Sequence, residues 1–85
     1  MTYEVRIEPP AQKEIARLGE AMRERVLAAI RALGDEPRPP GCKKLNGGFD
    51  GAYRIRIGDV RVIYEVHDRV RLVRVVRVGK RGDIY

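Results

Sequence analysis

The stretch Ala52-Tyr53-Arg54-Ile55-Arg56-Ile57-Gly58-Asp59-Val60-Arg61-Val62-Ile63-Tyr64 decides the fold. Successive side chains of a strand point to opposite faces, so Arg54 and Arg56 share one face while Tyr53, Ile55 and Ile57 share the other. Gly58-Asp59 is a two-residue hairpin signal that sets Ile57 opposite Val60 and Arg56 opposite Arg61. Like charges directly opposed destabilise a sheet. A face that accepts three arginines in this arrangement fits a polyanion, because phosphate oxygens between guanidinium groups reverse the sign of the interaction. The alternative is a solvated face whose long arginines splay into water.

Working outward, Val70 to Val78 reads as a third strand, joined to the hairpin through His67-Asp68-Arg69. Its buried face stays open. Val70, Leu72, Val76 and Val78 lie on one side and Val73 and Val75 on the other, and a two-residue and a three-residue loop at His67 give opposite answers. Ahead of the hairpin, Thr2 to Glu8 alternates, with Tyr3, Val5 and Ile7 on one side, so it reads as a half-buried strand ended by Pro9 and Pro10. Pro10 can open a helix through Leu18, with Ala11, Ile15 and Leu18 as its stripe and Gly19 as its stop. Met22, Val26, Ala29, Ile30 and Leu33 mark a second helix that Gly34 terminates. Asp35 to Gly51, rich in Pro and Gly and carrying Asn46-Gly47-Gly48, reads as an ordered loop pinned by Leu45 and Phe49. The expected class is α+β: an N-terminal strand, an antiparallel helical hairpin, then a three-stranded antiparallel meander completing one mostly antiparallel sheet. Residues 1–85 are expected to form a single domain.

The chain has 18 basic and 12 acidic residues, a net charge of +6. Residues 1–52 contribute only +1 of it and residues 53–85 contribute +5. The positive field therefore belongs to the C-terminal strands, which favours nucleic acid or an acidic protein as partner. Cys42 is the only cysteine, so an internal disulfide and a Cys-rich metal site are excluded and the cytoplasm is the default compartment. No apolar run approaches the length that spans a bilayer, and no signal-type segment opens the chain.

Most enzymatic templates fail. There is no serine, one histidine and no Gly-rich phosphate loop. His67 reads as a solvated turn residue and Cys42 as inert. RNA, however, carries its own nucleophile, the ribose 2′-hydroxyl. A protein that aligns its attack and neutralises charge with Arg and Lys needs no histidine pair. Tyr85 could stack on a base or pack loosely on the sheet.

Three pieces carry a family resemblance in their order and spacing: Lys44-Leu45-Asn46-Gly47, the run from Tyr53 to Val66, and Val78-Gly79-Lys80-Arg81 followed by Asp83-Ile84-Tyr85. Together they resemble the RelE/ParE superfamily of toxins from type II toxin-antitoxin systems, over nearly the whole chain, and its RelE branch in particular. That resemblance implies a ribosome-dependent endoribonuclease that cleaves messenger RNA in the ribosomal A site and leaves a 2′,3′-cyclic phosphate, without cofactor or metal. The alternatives are a ParE-like inhibitor of DNA gyrase and a homologue that binds RNA or antitoxin without turnover. By position, Arg54 and Arg56 match basic residues that are lysines in the best-known members. Arg61 matches the arginine on the scissile phosphate, Arg81 the one that assists the leaving group, and Tyr85 the stacking tyrosine. Lys43, Lys44 and Lys80 are expected to add RNA contacts. Implied partners are an acidic, RelB-like antitoxin in a hetero-oligomer and the ribosome with its messenger and ribosomal RNA. The sequence departs from the pattern at Arg56, where relatives place a lysine assigned as general base, at Lys80, where many carry histidine, and after Tyr85, where some continue into a helix. Glu65, on the face of Arg61, is either a substitute base or an arginine partner.

Overall fold

The computed structural model describes residues 2–45 and 51–80. Its elements are β1 (Glu4–Ile7), α1 (Pro9–Ala16), α2 (Glu20–Ala32), β2 (Lys43–Lys44), β3 (Ala52–Ile57), β4 (Val60–His67) and β5 (Leu72–Lys80). The strands form one sheet in the order β1-β5-β4-β3-β2; β1 runs parallel to β5 and the other neighbours are antiparallel. This is the α+β arrangement expected from the sequence, with an added strand. β2 lies inside the stretch read as a loop, where Lys43 pairs with Arg54 and Lys44 with Tyr53. Two residues are too few to show a period, which is why the stretch reads as loop. The Asn46-Gly47-Gly48 signal and Phe49 fall outside the described residues.

Both helices cover one face of the sheet. Ala11, Ile15, Val26, Ile30 and Leu33 meet Ile55, Ile57, Val60, Val62, Tyr64, Val73, Val75 and Val78 in a single apolar core. The glycines at the helix ends act differently from the stops expected of them. Gly19 is the extended N-cap of α2, with φ −62° and ψ 157°, and α1 ends at Ala16, two residues before the expected Leu18, with Arg17 as its C-cap. Gly34 is buried against β1, where its carbonyl accepts Tyr3 N–H at 2.7 Å and a Cβ would stand 3.1 Å from the Tyr3 carbonyl. Its smallness serves close approach rather than a left-handed turn.

The open question of β5 has a structural answer. The connection from β4 is four residues, Asp68 to Arg71, longer than either loop weighed, with Arg71 at φ 52° and His67 still in β4 opposite Leu72. Further along, Ile63 lies opposite Arg77 but Tyr64 opposite Val75, so Val76 is an extra residue in a β-bulge. The bulge switches the period: Val73 and Val75 before it and Val78 after it all reach the core. Val76 instead joins Ala52, Ile63 and Leu45 in a small cluster on the other face. Val70, expected in the strand, sits in the turn and is 71% exposed. Among the described residues no helix is long and apolar enough to cross a membrane.

Candidate nucleic-acid interface

The face of the sheet away from the helices is built by alternation. β3 supplies Ala52, Arg54 and Arg56, β4 supplies Arg61, Ile63 and Glu65, and β2 adds Lys43 directly opposite Arg54. Arg56 lies opposite Arg61 across the Gly58-Asp59 turn, as the hairpin signal implies. Gly58 takes φ +61°, a conformation that L side chains rarely adopt, so the turn residue and the register of the arginines are one requirement. Arg56, Gly58, Asp59 and Arg61 line an open concavity of about 210 Å³ at this end of the hairpin.

Charge is segregated on this face. Asp59 lies in the turn beside Arg56 and Arg61, whereas the strand carboxylates Glu4 and Glu65 stand toward β1 and β5, and each of these two is occupied: Arg6 Nη2 lies 3.0 Å from Glu4, and Arg74 donates to Glu65 Oε1 at 2.9 and 3.1 Å. His67 Nε2 also lies 2.8 Å from that oxygen. Partial burial pushes the Glu65 carboxyl up, but hydrogen bonds from His67 and Arg74 outweigh it and the net shift is downward. A carboxylate so engaged is a weak proton acceptor, and Glu65 reads as an arginine partner. The β2–β3–β4 half differs. Lys43, Arg54 and Arg56 form no ion pair among the described residues. Sharing one open face, with Arg56 lining its concavity, these cations can accommodate successive phosphate oxygens.

The residues singled out in the sequence do not all converge. Lys43, Arg54, Arg56 and Arg61 share the open face. Lys44, paired with Tyr53, projects to the opposite side. Lys80, opposite Val60, is exposed beside α1 in a cleft that also includes Arg17 and Arg77. Arg81 and Tyr85 fall outside the described residues.

A polar clamp missed in the sequence fixes the approach to β2. Arg38, in the loop after α2, forms a bidentate pair with Asp68 at 2.8 and 3.2 Å, donates Nε to the Tyr53 hydroxyl at 2.9 Å and lies 5.1 Å from the Tyr53 ring centre. Tyr3 donates its hydroxyl to Asp68 at 2.6 Å. Tyr53 stacks on buried Tyr64, whose hydroxyl donates to the Pro37 carbonyl at 2.7 Å. These contacts span separations of up to 65 residues, so no local pattern announces them. Hydrogen bonds from Arg38, then Tyr3, hold the Asp68 carboxyl below its ordinary range. A carboxylate lowered in the folded state contributes stability above its unfolded pKa, and that stability is lost as pH falls through the folded value. Asp68→Asn should therefore lower the melting temperature at neutral pH and flatten its decline below about pH 4. An acid-side slope equal to the wild type's would show that the clamp contributes nothing.

Comparison with known proteins places the chain. Residues 5–85 match the family model described as the ParE toxin of type II toxin-antitoxin systems, parDE. A protein of Escherichia coli described as RelE-like toxin is 30% identical over all of this chain and 92% of its own length. The toxin in the RelE–RelB complex from Pyrococcus horikoshii superposes with a TM-score of 0.84 at 34% identity, over 98% of this chain and 99% of its own. The RelBE2 toxin-antitoxin complex of Mycobacterium tuberculosis gives the same TM-score at 26% identity, over 95% of this chain and 100% of that one. The chain belongs to the RelE/ParE superfamily of type II toxin-antitoxin toxins.

Proposed function

We propose that this toxin is a ribosome-dependent endoribonuclease that cleaves messenger RNA in the ribosomal A site. The observation that carries this reading is the cationic half of the open face, where Arg56 opposes Arg61 and Lys43 opposes Arg54. The ribose 2′-oxygen attacks the adjacent phosphorus, the bond from phosphorus to the 5′-oxygen breaks, and a 2′,3′-cyclic phosphate remains. The 2′-hydroxyl loses its proton and the departing 5′-oxygen gains one. Guanidinium groups suit the charge that accumulates on the phosphoryl oxygens but are poor bases, so Arg54, Arg56 and Arg61 act by electrostatics and alignment. Arg81 stabilises the leaving oxygen and Tyr85 stacks on the substrate base in this scheme.

The inhibitory partner is a RelB-like acidic antitoxin that covers the same face in a hetero-oligomer. The solved relatives held in complex with RelB antitoxins support a partner of this kind. Its place of action is then the cytoplasm, on ribosomes. Expressing the chain without antitoxin, and assaying both message cleavage at A-site codons and gyrase-linked DNA damage, tests the reading. Cleavage that disappears with Arg81→Ala supports it; DNA damage without cleavage overturns it in favour of a ParE-like activity.

A further inference from the structure

β5 loses its outer neighbour halfway. β1 pairs with it only from Leu72 to Val75, after which the chain turns into α1, so that among the described residues Val76 to Lys80 have a sheet partner on the β4 side alone. Glu14 on α1 takes the place of the missing strand. Its Oε1 accepts the Val78 backbone N–H at 2.7 Å, and its Oε2 accepts Arg77 Nε at 3.0 Å and Nη2 at 2.7 Å. The side chain is only 20% exposed, because the neighbouring Ala11 and Ile15 draw this helix onto the core. Three charge-assisted bonds from one carboxylate thus reach across 63 and 64 residues to the strand edge. Donating to Glu14 also shifts Arg77 further toward its charged form.

The held segment leads straight to the proposed chemistry. Gly79 lies opposite Arg61 and Lys80 opposite Val60, so the register fixed at Val78 sets where the backbone passes Arg61. We propose that Glu14 is a positioning residue for phosphoryl transfer, holding the distal half of β5 in the register that sets Gly79 opposite Arg61. This inference rests on the endoribonuclease reading. It adds to that reading a group on α1, on the far side of β5 from the arginine face, that touches no substrate and acts through backbone placement.

The test compares the full chain with Glu14→Ala and Glu14→Gln in single-turnover and steady-state cleavage of ribosome-bound message, alongside amide hydrogen exchange. Glu14→Ala should lower kcat about a hundredfold with KM changed by less than about twofold, the signature of misalignment rather than lost binding. Exchange at Val78 should quicken at least about tenfold while Val62, in the centre of the sheet, keeps its protection. Glu14→Gln retains an oxygen for the Val78 N–H and should recover most of that protection and part of kcat. Wild-type kcat in Glu14→Ala overturns the positioning role, as does faster exchange at Val62 and Val78 alike, which would mean general loosening. A wild-type chain that fails to cleave overturns the endoribonuclease reading itself, an outcome told apart because the unmutated protein is the one that fails.

Discussion

Arg61→Ala is expected to reduce single-turnover cleavage of ribosome-bound message by about 10²- to 10³-fold, the usual effect of removing one preorganised donor from a developing oxyanion. The loss should fall on kcat, because the remaining cations still attract the RNA backbone. Arg81→Ala should match it, Tyr85→Ala should be milder, and Tyr85→Phe milder still, since stacking needs the ring more than the hydroxyl. Stability should move the other way at the opposed pair. Removing Arg56 ends a cross-strand like-charge pairing with Arg61, an expected gain of a few tenths to about 1 kcal/mol. A variant that is less active yet no less stable is what a functional face paid for in repulsion should give. Cleavage by Arg61→Ala within about threefold of wild type, too small a change for a lost transition-state contact, would sink the electrostatic mechanism.

The hairpin was readable because its signals agree. Alternation in Tyr53 to Ile57 and Val60 to Val66, and a Gly-Asp turn with Gly58 at positive φ, specify the same register, and the arginine pair follows from it. The face of β5 was not readable, for a physical reason. A bulge at Val76 inserts one residue, so each of the two candidate faces is right for half the strand, and nothing in Val73 to Val78 marks where the switch falls. The parallel neighbour β1 was equally hidden, since a strand sequence does not name its partner.

The site divides along the same line. Arg54, Arg56 and Arg61 come together through local pairing and were legible. Glu14 was not, because on α1 it looks like any polar residue beside a buried stripe, and its value depends on where β1 happens to stop. Lys44 and Lys80 show the converse. Adjacency in sequence to Lys43 and Arg81 suggests a shared site, but the two-residue period sends Lys44 to the other face, and Lys80 lies with Val60 rather than Arg61. A basic stretch in a strand is two surfaces, not one.

Ile30→Ala is expected to cost about 2–5 kcal/mol, read as a shift of the urea midpoint at unchanged slope. Ile30 is 1% exposed in the last turn of α2, within the cluster where the helices meet β3, β4 and β5. Close-packed surroundings relax only partly around a deleted side chain, so the lost transfer energy is joined by a cavity term. In a domain this small that is a large share of a total of about 5–15 kcal/mol, and the melting temperature should fall by about 10 °C or more. Val70→Ala removes comparable chemistry from the turn after β4, where the side chain is 71% exposed, and should shift stability by less than about 0.5 kcal/mol. Ile30→Val should fall between them, at about 0.5–1.5 kcal/mol. Because α2 holds the β3–β4 turn through Met22, whose Cε lies 3.2 Å from where a Cβ on Gly58 would stand, loosening α2 should also blur the arginine register. Cleavage by Ile30→Ala should therefore fall at temperatures where the chain is still folded, whereas an Ile30→Ala protein as stable as wild type would mean that the helices do not bear on this sheet.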